Sequence, residues 1–307
     1  MAAVNTLTTY GDSSAKEDVV LNAIEILTAK ETQILNMLGK TAAINTIHSF
    51  LVDTLQTAAS GAVTEEGDYT NDALTTPTRL TNLVELVAKP YRVGKTQMEI
   101  AHYQGEDELS RQTEKALMNW GNSAEFDLVR STLVSGASGT VPKMKGIIAA
   151  ISKSTNTTVH TSGTVWSATI LDGLMQGNWD NSNGNTATDV FMGSALRTRT
   201  DAFTQKSNVV VNAPGIMSIV RTVSTYETAM GTVTIHKHRY VQQSSDANGR
   251  VLAINPENLK VAFLTKPYIQ TDLGNNGDYI NRAVMGKFTL ETRNQDTNWF
   301  ADGFLKV

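Results

Sequence analysis

Two histidines, His236 and His238, stand one residue apart in Val233-Thr-Ile-His-Lys-His238, a run that reads as a strand. The strand period of two places both imidazoles on one face, which is the beginning of a metal site. Zinc sites draw three or four protein ligands. The sequence identifies no third one, so the pair reads as solvent-facing strand residues. Glu106, Asp107 and Glu108 form three consecutive acids, the residue type of paired carboxylates for acid–base work. They open a helical pattern, however, where acids complement the positive end of the helix dipole. Glu65, Glu66 and Asp68 lie in a Gly/Thr/Asn-rich stretch that gives no rigid support for a catalytic constellation; they read as a solvated charge cluster.

Nucleophile chemistry is equally thin. Gly136-Ala-Ser-Gly139 lacks the G-x-S-x-G spacing of a nucleophile elbow, and Ser138 reads as a turn residue. Neither a G-x-x-x-x-G-K-[ST] loop nor a G-x-G-x-x-G turn is present. Trp166 and Trp179, set among Gly, Ser and Asn, could stack on a base or a sugar, but packing is the commoner use of such rings. The sequence therefore assigns no catalytic, cofactor-binding or metal residue.

The absence of cysteine in 307 residues excludes disulfides, thiolate metal sites and cysteine nucleophiles. A chain this long buries a substantial core without staples and fits about two domains. Hydrophobic residues at 40% and charged residues at 18% describe a folded protein rather than a disordered one. The net charge of -4 argues against tight capture of a polyanion and allows weak, non-specific contact with DNA. The N-terminus, MAAVNTLTTYGDSSAKED, has no basic and apolar signal-peptide pattern, and no apolar run approaches the ~18 residues of a membrane span. Synthesis in a cytoplasm without a membrane partner is the expectation.

The elements that must position these residues begin with a capping-box pattern at Ser14-Ala-Lys-Glu17. Val20, Ile24, Leu27, Ile34, Leu35 and Leu38 follow at near-helical spacing, with Gly39 as a helix stop. His48 to Leu55 reads as extended. Residues 58–78 form a polar excursion between strand-like flanks, longer than a passive loop, and read as a projecting β-hairpin arm. The strongest local signal runs from Glu106 to Val134: Leu109, Ala116, Leu117, Trp120, Ala124, Leu128 and Leu133 form an apolar stripe, with Gly121 as its weak point. Such a helix is on the order of 40 Å long. Then come a short apolar run at 145–151, a Ser/Thr/Asn-rich loop, helices at 170–175 and 195–204, and a strand at 189–193. Further strands fall at 209–211, 216–223, 233–238, 251–254, 261–264 and 278–293. Trp299, Phe300 and Phe304 can anchor the terminus. The class is mixed α+β.

Spread over nearly the whole chain are Glu31-Thr-Gln-Ile-Leu35, Leu38-Gly-Lys40, His48-Ser-Phe-Leu-Val-Asp-Thr-Leu55 and Thr78-Arg-Leu-Thr-Asn82. Thr96-Gln97, Asp107-Glu108, Gln112, Met144-Lys-Gly146 and Phe288-Thr-Leu-Glu-Thr-Arg-Asn294 follow. In this order and spacing they resemble the major capsid proteins of tailed bacteriophages with the HK-ninety-seven-like fold, in particular the SU-ten-like capsid proteins. The chain departs from that pattern at Gln33, where Pro is frequent, and at Phe50, near which Trp is frequent.

The resemblance implies an N-terminal arm (residues 1–56), an extended loop with flanking strands (57–100) and a spine helix of a peripheral domain (101–140). An axial domain (141–254) and return strands of the peripheral domain with the C-terminus (255–307) would complete it. It also implies a non-enzymatic, cofactor-free subunit that assembles with itself into hexamers and pentamers of an icosahedral head. That head would enclose double-stranded DNA, with portal and scaffolding or decoration proteins as partners, and would be assembled in the host cytoplasm. An encapsulin-like compartment shell and another repetitive virion protein of tail or decoration type are the alternatives; an uncharacterised hydrolase is the reading from a different class.

Overall fold

The computed structural model describes residues 32–55, 60–62, 65–67, 74–100, 107–137, 139–151, 157–182, 185–201, 203, 225–271, 273–274 and 277–306. The capping box at residues 14–17, the helical spacing over 20–27, and the strands expected at 209–211 and 216–223 lie outside these residues, as do Asp68, Glu106 and Ser138.

The described chain starts with a short helix α1 (Gln33–Met37), whose Ile34 and Leu35 are buried. Gly39 does not act as a helix stop. Leu38 is already extended, and Gly39 opens strand β1 (Gly39–Ala42). Strands β2 (Ile47–Val52) and β3 (Thr78–Leu83) pair antiparallel as the expected hairpin. Strand β4 (Glu85–Gly94) and helix α2 (Lys95–Glu99) lead to α3 (Glu108–Arg130). Asp107 caps α3, its Oδ1 accepting the Leu109 N–H at 3.3 Å. At 23 residues the helix is about 35 Å long.

Leu109, Ala116, Trp120, Ala124 and Leu128 are buried on one face, whereas Leu117 and Leu133 are exposed. The expected stripe thus runs past the real end of α3. Gly146 lies against that last turn: a Cβ on it would stand 2.9 Å from the Asp127 carbonyl oxygen, and its N–H donates to the Ser131 carbonyl at 2.8 Å. Gly121 leaves α3 unbroken and makes room for Thr32, whose methyl would lie 3.1 Å from an added Cβ.

Helix α4 (Ile147–Ile151) precedes β5 (Thr157–Thr164), which lies where a polar loop was expected. Then follow α5 (Ala168–Asn181), β6 (Asp189–Met192), α6 (Ser194–Asp201), β7 (Thr225–Thr228), β8 (Gly231–Lys237) and β9 (Gly249–Ile254). The chain closes with β10 (Leu259–Gln270), β11 (Tyr279–Thr292) and β12 (Trp299–Phe304).

Two sheets organise these elements. The first has the order β1-β10-β11-β4, and the second the order β5-β12-β9-β6-β8-β7. Helix α3 packs on the first sheet, with Trp120 against Phe288 and its indole N–H donating to the Val87 carbonyl at 3.0 Å. Gly286 is required beneath that ring, because a Cβ would come within 2.5 Å of the indole. Alternation along the second sheet feeds two cores. Phe191, Leu252 and Phe300 join the core under α3, while Val190, Met192, Val251, Ala253, Trp299 and Ala301 pack with Leu171, Met175 and Leu196 of α5 and α6. A sheet buried on both faces explains why β9 reads as a nearly continuous apolar run. Residues 255–307, expected as one unit, are divided: β10 and β11 belong to the first sheet and β12 to the second.

Candidate assembly surfaces

The hairpin of β2 and β3 forms a two-stranded sheet of its own. A lone two-stranded hairpin is marginal in water. Leu51 is 69% exposed, and beside the strands Leu55 and Leu74 are 98% and 93% exposed. Its foot, in contrast, is locked. Asn82 is buried, its Nδ2 donating to the carbonyls of Leu290 (2.8 Å) and Lys145 (3.0 Å), while its Oδ1 accepts the N–H groups of Lys145 (2.8 Å) and Leu83 (2.9 Å). His48 Nε2 contacts Glu291 Oε2 at 3.1 Å, and Arg293 Nε donates to Glu291 Oε1 at 2.6 Å. Burial would raise the Glu291 carboxyl, yet the hydrogen bonds and charges of Arg293 and His48 hold it below the ordinary carboxylate range.

A second group of polar contacts fastens the entering chain to the body. Glu125, fully buried on α3, accepts the Ile34 and Leu35 N–H groups, both at 2.7 Å, and contacts His238 Nε2 at 2.9 Å. The backbone N–H groups of Tyr240 and Val241 reach His238 Nδ1, each at 3.3 Å. Nδ1 therefore accepts, and Nε2 carries the proton donated to Glu125. His236 spans Asp189 Oδ1 (2.8 Å) and Gln33 Nε2 (3.0 Å) and stacks on Phe191. Against its burial, the hydrogen bonds from His236 and Thr188 keep the Asp189 carboxyl below its usual range. Asp246 ties α3 to the second sheet by accepting from Arg130 of α3 and Arg250 of β9, and Arg250 reaches Asp302 of β12.

The residues singled out by type resolve as follows. His236, in β8, and His238, just past its end, point inward onto α1 and α3 rather than to solvent; no periodicity within β8 could show that. Asp107 is a helix cap, and Glu108 binds Arg111 within α3. Glu65 and Glu66 occupy an exposed turn. Trp166 is buried and donates to Thr200 Oγ1 at 2.9 Å, whereas Trp179 is 44% exposed; one is core and the other surface. Among the described residues no group of three His, Asp or Glu could hold a metal ion, and no helix is long and apolar enough to cross a membrane. The buried polar groups Asn82, Glu125 and Glu85 were missed as participants. Asn82 alone carried a signal, since it ends the Thr78–Asn82 motif.

The chain matches the family model described as SU10 major capsid protein over residues 4–303. It belongs to that family. The capsid protein shares its fold with the capsid of the native GTA particle (TM-score 0.66, 9% identity, 99% of this chain and 100% of that chain). It is similarly related to a protein of Microbacterium phage Oxtober96 (0.66, 11%, 97% and 99%) and to the SrpI encapsulin of Synechococcus elongatus (0.60, 10%, 94% and 94%). This is the HK-ninety-seven-like fold. Curated protein sequences give no match. In the capsid protein, four of the motifs that carried the resemblance meet in space: Asn82, Lys145, Leu290, His48 and Glu291 all stand at the hairpin foot.

Proposed function

We propose that this major capsid protein assembles with itself into hexamers and pentamers of an icosahedral phage head around double-stranded DNA, without catalysis. The family match over residues 4–303 carries this reading. The fold supplies a mechanism. The hairpin exposes Leu51, Leu55 and Leu74, apolar surface that gains about 25 cal/mol per Å² when a neighbour covers it. A specific contact buries about 800 Å² per partner, and a closed shell multiplies such contacts. Residues 1–56 serve as the arm, whose last strand β2 pairs with β3 in the extended loop of 57–100; 101–140 form the spine and 141–254 most of the axial domain, to which β12 adds a strand. The return strands are then β10 and β11. Portal, scaffolding and decoration proteins complete the partners, and assembly takes place in the host cytoplasm. The net charge of -4 suits a wall that touches packed DNA without gripping it.

The likeness to an encapsulin supports a second reading, a compartment shell enclosing a cargo protein. Negative-stain electron microscopy of the protein expressed alone, and then with its genomic neighbours, tests both. Closed shells or rings of five and six support a shell protein, and DNA rather than a cargo enzyme inside the particles separates phage head from compartment. Failure to form either particle under both conditions refutes the reading. Deleting residues 61–76 is expected to leave a folded subunit that cannot close shells; normal capsids from that deletion would overturn the role given to the hairpin.

A further inference from the structure

Between β4 and the outer side of α3 lies an open cavity of about 450 Å³, lined among others by Glu85, Lys89, Asn122, Phe126, Asp127 and Tyr240. This is within the size range of small-ligand pockets, and its polar groups are unusual. Glu85 is only 5% exposed. Its Oε2 accepts the Met144 N–H at 3.1 Å and lies 3.4 Å from the Ser131 hydroxyl. Among the described residues no hydrogen bond reaches its Oε1, on a side chain that lines the cavity. Asp127 lines the same cavity, one turn beyond Ser123 on α3; its backbone carbonyl accepts the Ser131 N–H, but among the described residues no hydrogen bond reaches its carboxylate. Phe126 and Tyr240 form an adjoining aromatic wall, edge to face with centroids 5.7 Å apart.

We propose that this cavity binds an organic cation, an alkylammonium or guanidinium group, supplied either by a free polyamine or by a Lys or Arg side chain of a second copy. The ligand chemistry follows from the walls. A cation with several N–H donors can reach both carboxylates and rest against a ring face. Among the described residues no third His, Asp or Glu joins them to make a metal site. Lys143 and Lys89 of its own chain offset the two negative charges only in part. Burial, and for Glu85 the neighbouring Asp127 charge, push both carboxyls above their ordinary range despite the opposing charges of Lys143 and, at Asp127, Lys89. Neither lysine forms an ion pair with them among the described residues. A bound cation supplies the missing charge, and its arrival should displace protons.

Spermidine and ethylguanidinium, titrated calorimetrically into the isolated full-length subunit near pH 6 in buffers of different ionisation heat, test this directly and independently of any shell. The expected result is saturable binding with proton release, weakened at least tenfold by Glu85→Gln with Asp127→Asn and tightened by Lys89→Gln, which removes a competing cation. A control, Glu65→Gln with Glu66→Gln, should leave binding unchanged. Absence of saturable binding of both probes at millimolar concentration, or equal binding by the double variant at the cavity, would overturn the proposal. Repeating the titration on closed shells separates the two sources: binding retained there identifies a free amine as the occupant, and binding lost only on assembly identifies a side chain of the neighbouring copy.

Discussion

Replacing Asn82 tests whether the hairpin is held by its foot. Four hydrogen bonds converge on this buried side chain. The bond from the adjacent Leu83 N–H is local and partly wet, so water replaces it readily. The two bonds to Lys145 and the one to Leu290 span long stretches of sequence. At about 1 kcal/mol net for each such bond, Asn82→Ala should cost roughly 3 kcal/mol, a large share of the ~5–15 kcal/mol that holds a domain together. Asn82→Asp is the sharper probe. It keeps an acceptor for the N–H groups but turns a carboxylate oxygen towards the Leu290 and Lys145 carbonyls, so it should cost at least as much as Asn82→Ala. Urea denaturation of the isolated subunit should show a midpoint lowered by on the order of 1 M, and hydrogen exchange should speed up across residues 78–83. An Asn82→Asp protein within about 0.5 kcal/mol of the wild type would refute the reasoning.

Glu125→Ala leaves the His238 Nε2–H and the N–H groups of Ile34 and Leu35 without their buried acceptor, and should cost about 3–5 kcal/mol; an unchanged denaturation midpoint would contradict that. The two kinds of carboxylate should respond to pH in opposite senses. Glu291 is held low, so its stabilisation is present above the unfolded value of 4.5 and disappears as pH falls through its lower folded value. Glu85 is held high, so its buried charge lowers stability as pH rises from 4.5 through its raised folded value. Glu85→Gln should therefore gain more relative to wild type at pH 8 than at pH 5, and an equal effect at both in urea titrations would exclude this account. Gly303 has φ +101°, and a Cβ there would stand 2.1 Å from the His160 carbonyl oxygen, whereas Gly274 has φ +69° and open space. Gly274→Ala should cost about 1–2 kcal/mol and Gly303→Ala far more; equal shifts in thermal melting would show that the contact between β5 and β12 can yield.

What could be read in the sequence was local. Helix α3 announced itself through its acids and apolar stripe, and β11 through its β-branched and aromatic residues, because their signals lie within one element. Strand β5 escaped notice because Thr157–Thr164 is mostly polar and owes its structure to pairing with β12. The direction of His236 and His238 escaped for a related reason. Their partners Gln33 and Glu125 are 203 and 113 positions away, and only the closed fold brings them near. The end of α3 carried no breaker in its own sequence; beyond extended Ser131 the chain returns with Gly146 packed against the last turn. The motifs at Thr78–Asn82, Met144–Gly146 and Phe288–Asn294 pointed to the right place without revealing that they touch.

The division of the last strands between two sheets has a consequence for timing. Strand β12 sits between β5 and β9, so while the chain is being synthesised the second sheet remains in two pieces, each with an unpaired edge, until Trp299–Phe304 emerges. Strand β1 waits in the same way for β10. Contacts this distant in sequence form slowly, and open edges are where nascent chains mispair. A polypeptide destined to meet many copies of itself thus withholds its finished outline until translation is complete. A truncated product, having no β12 to close the sheet, is poorly shaped for incorporation beside full-length copies.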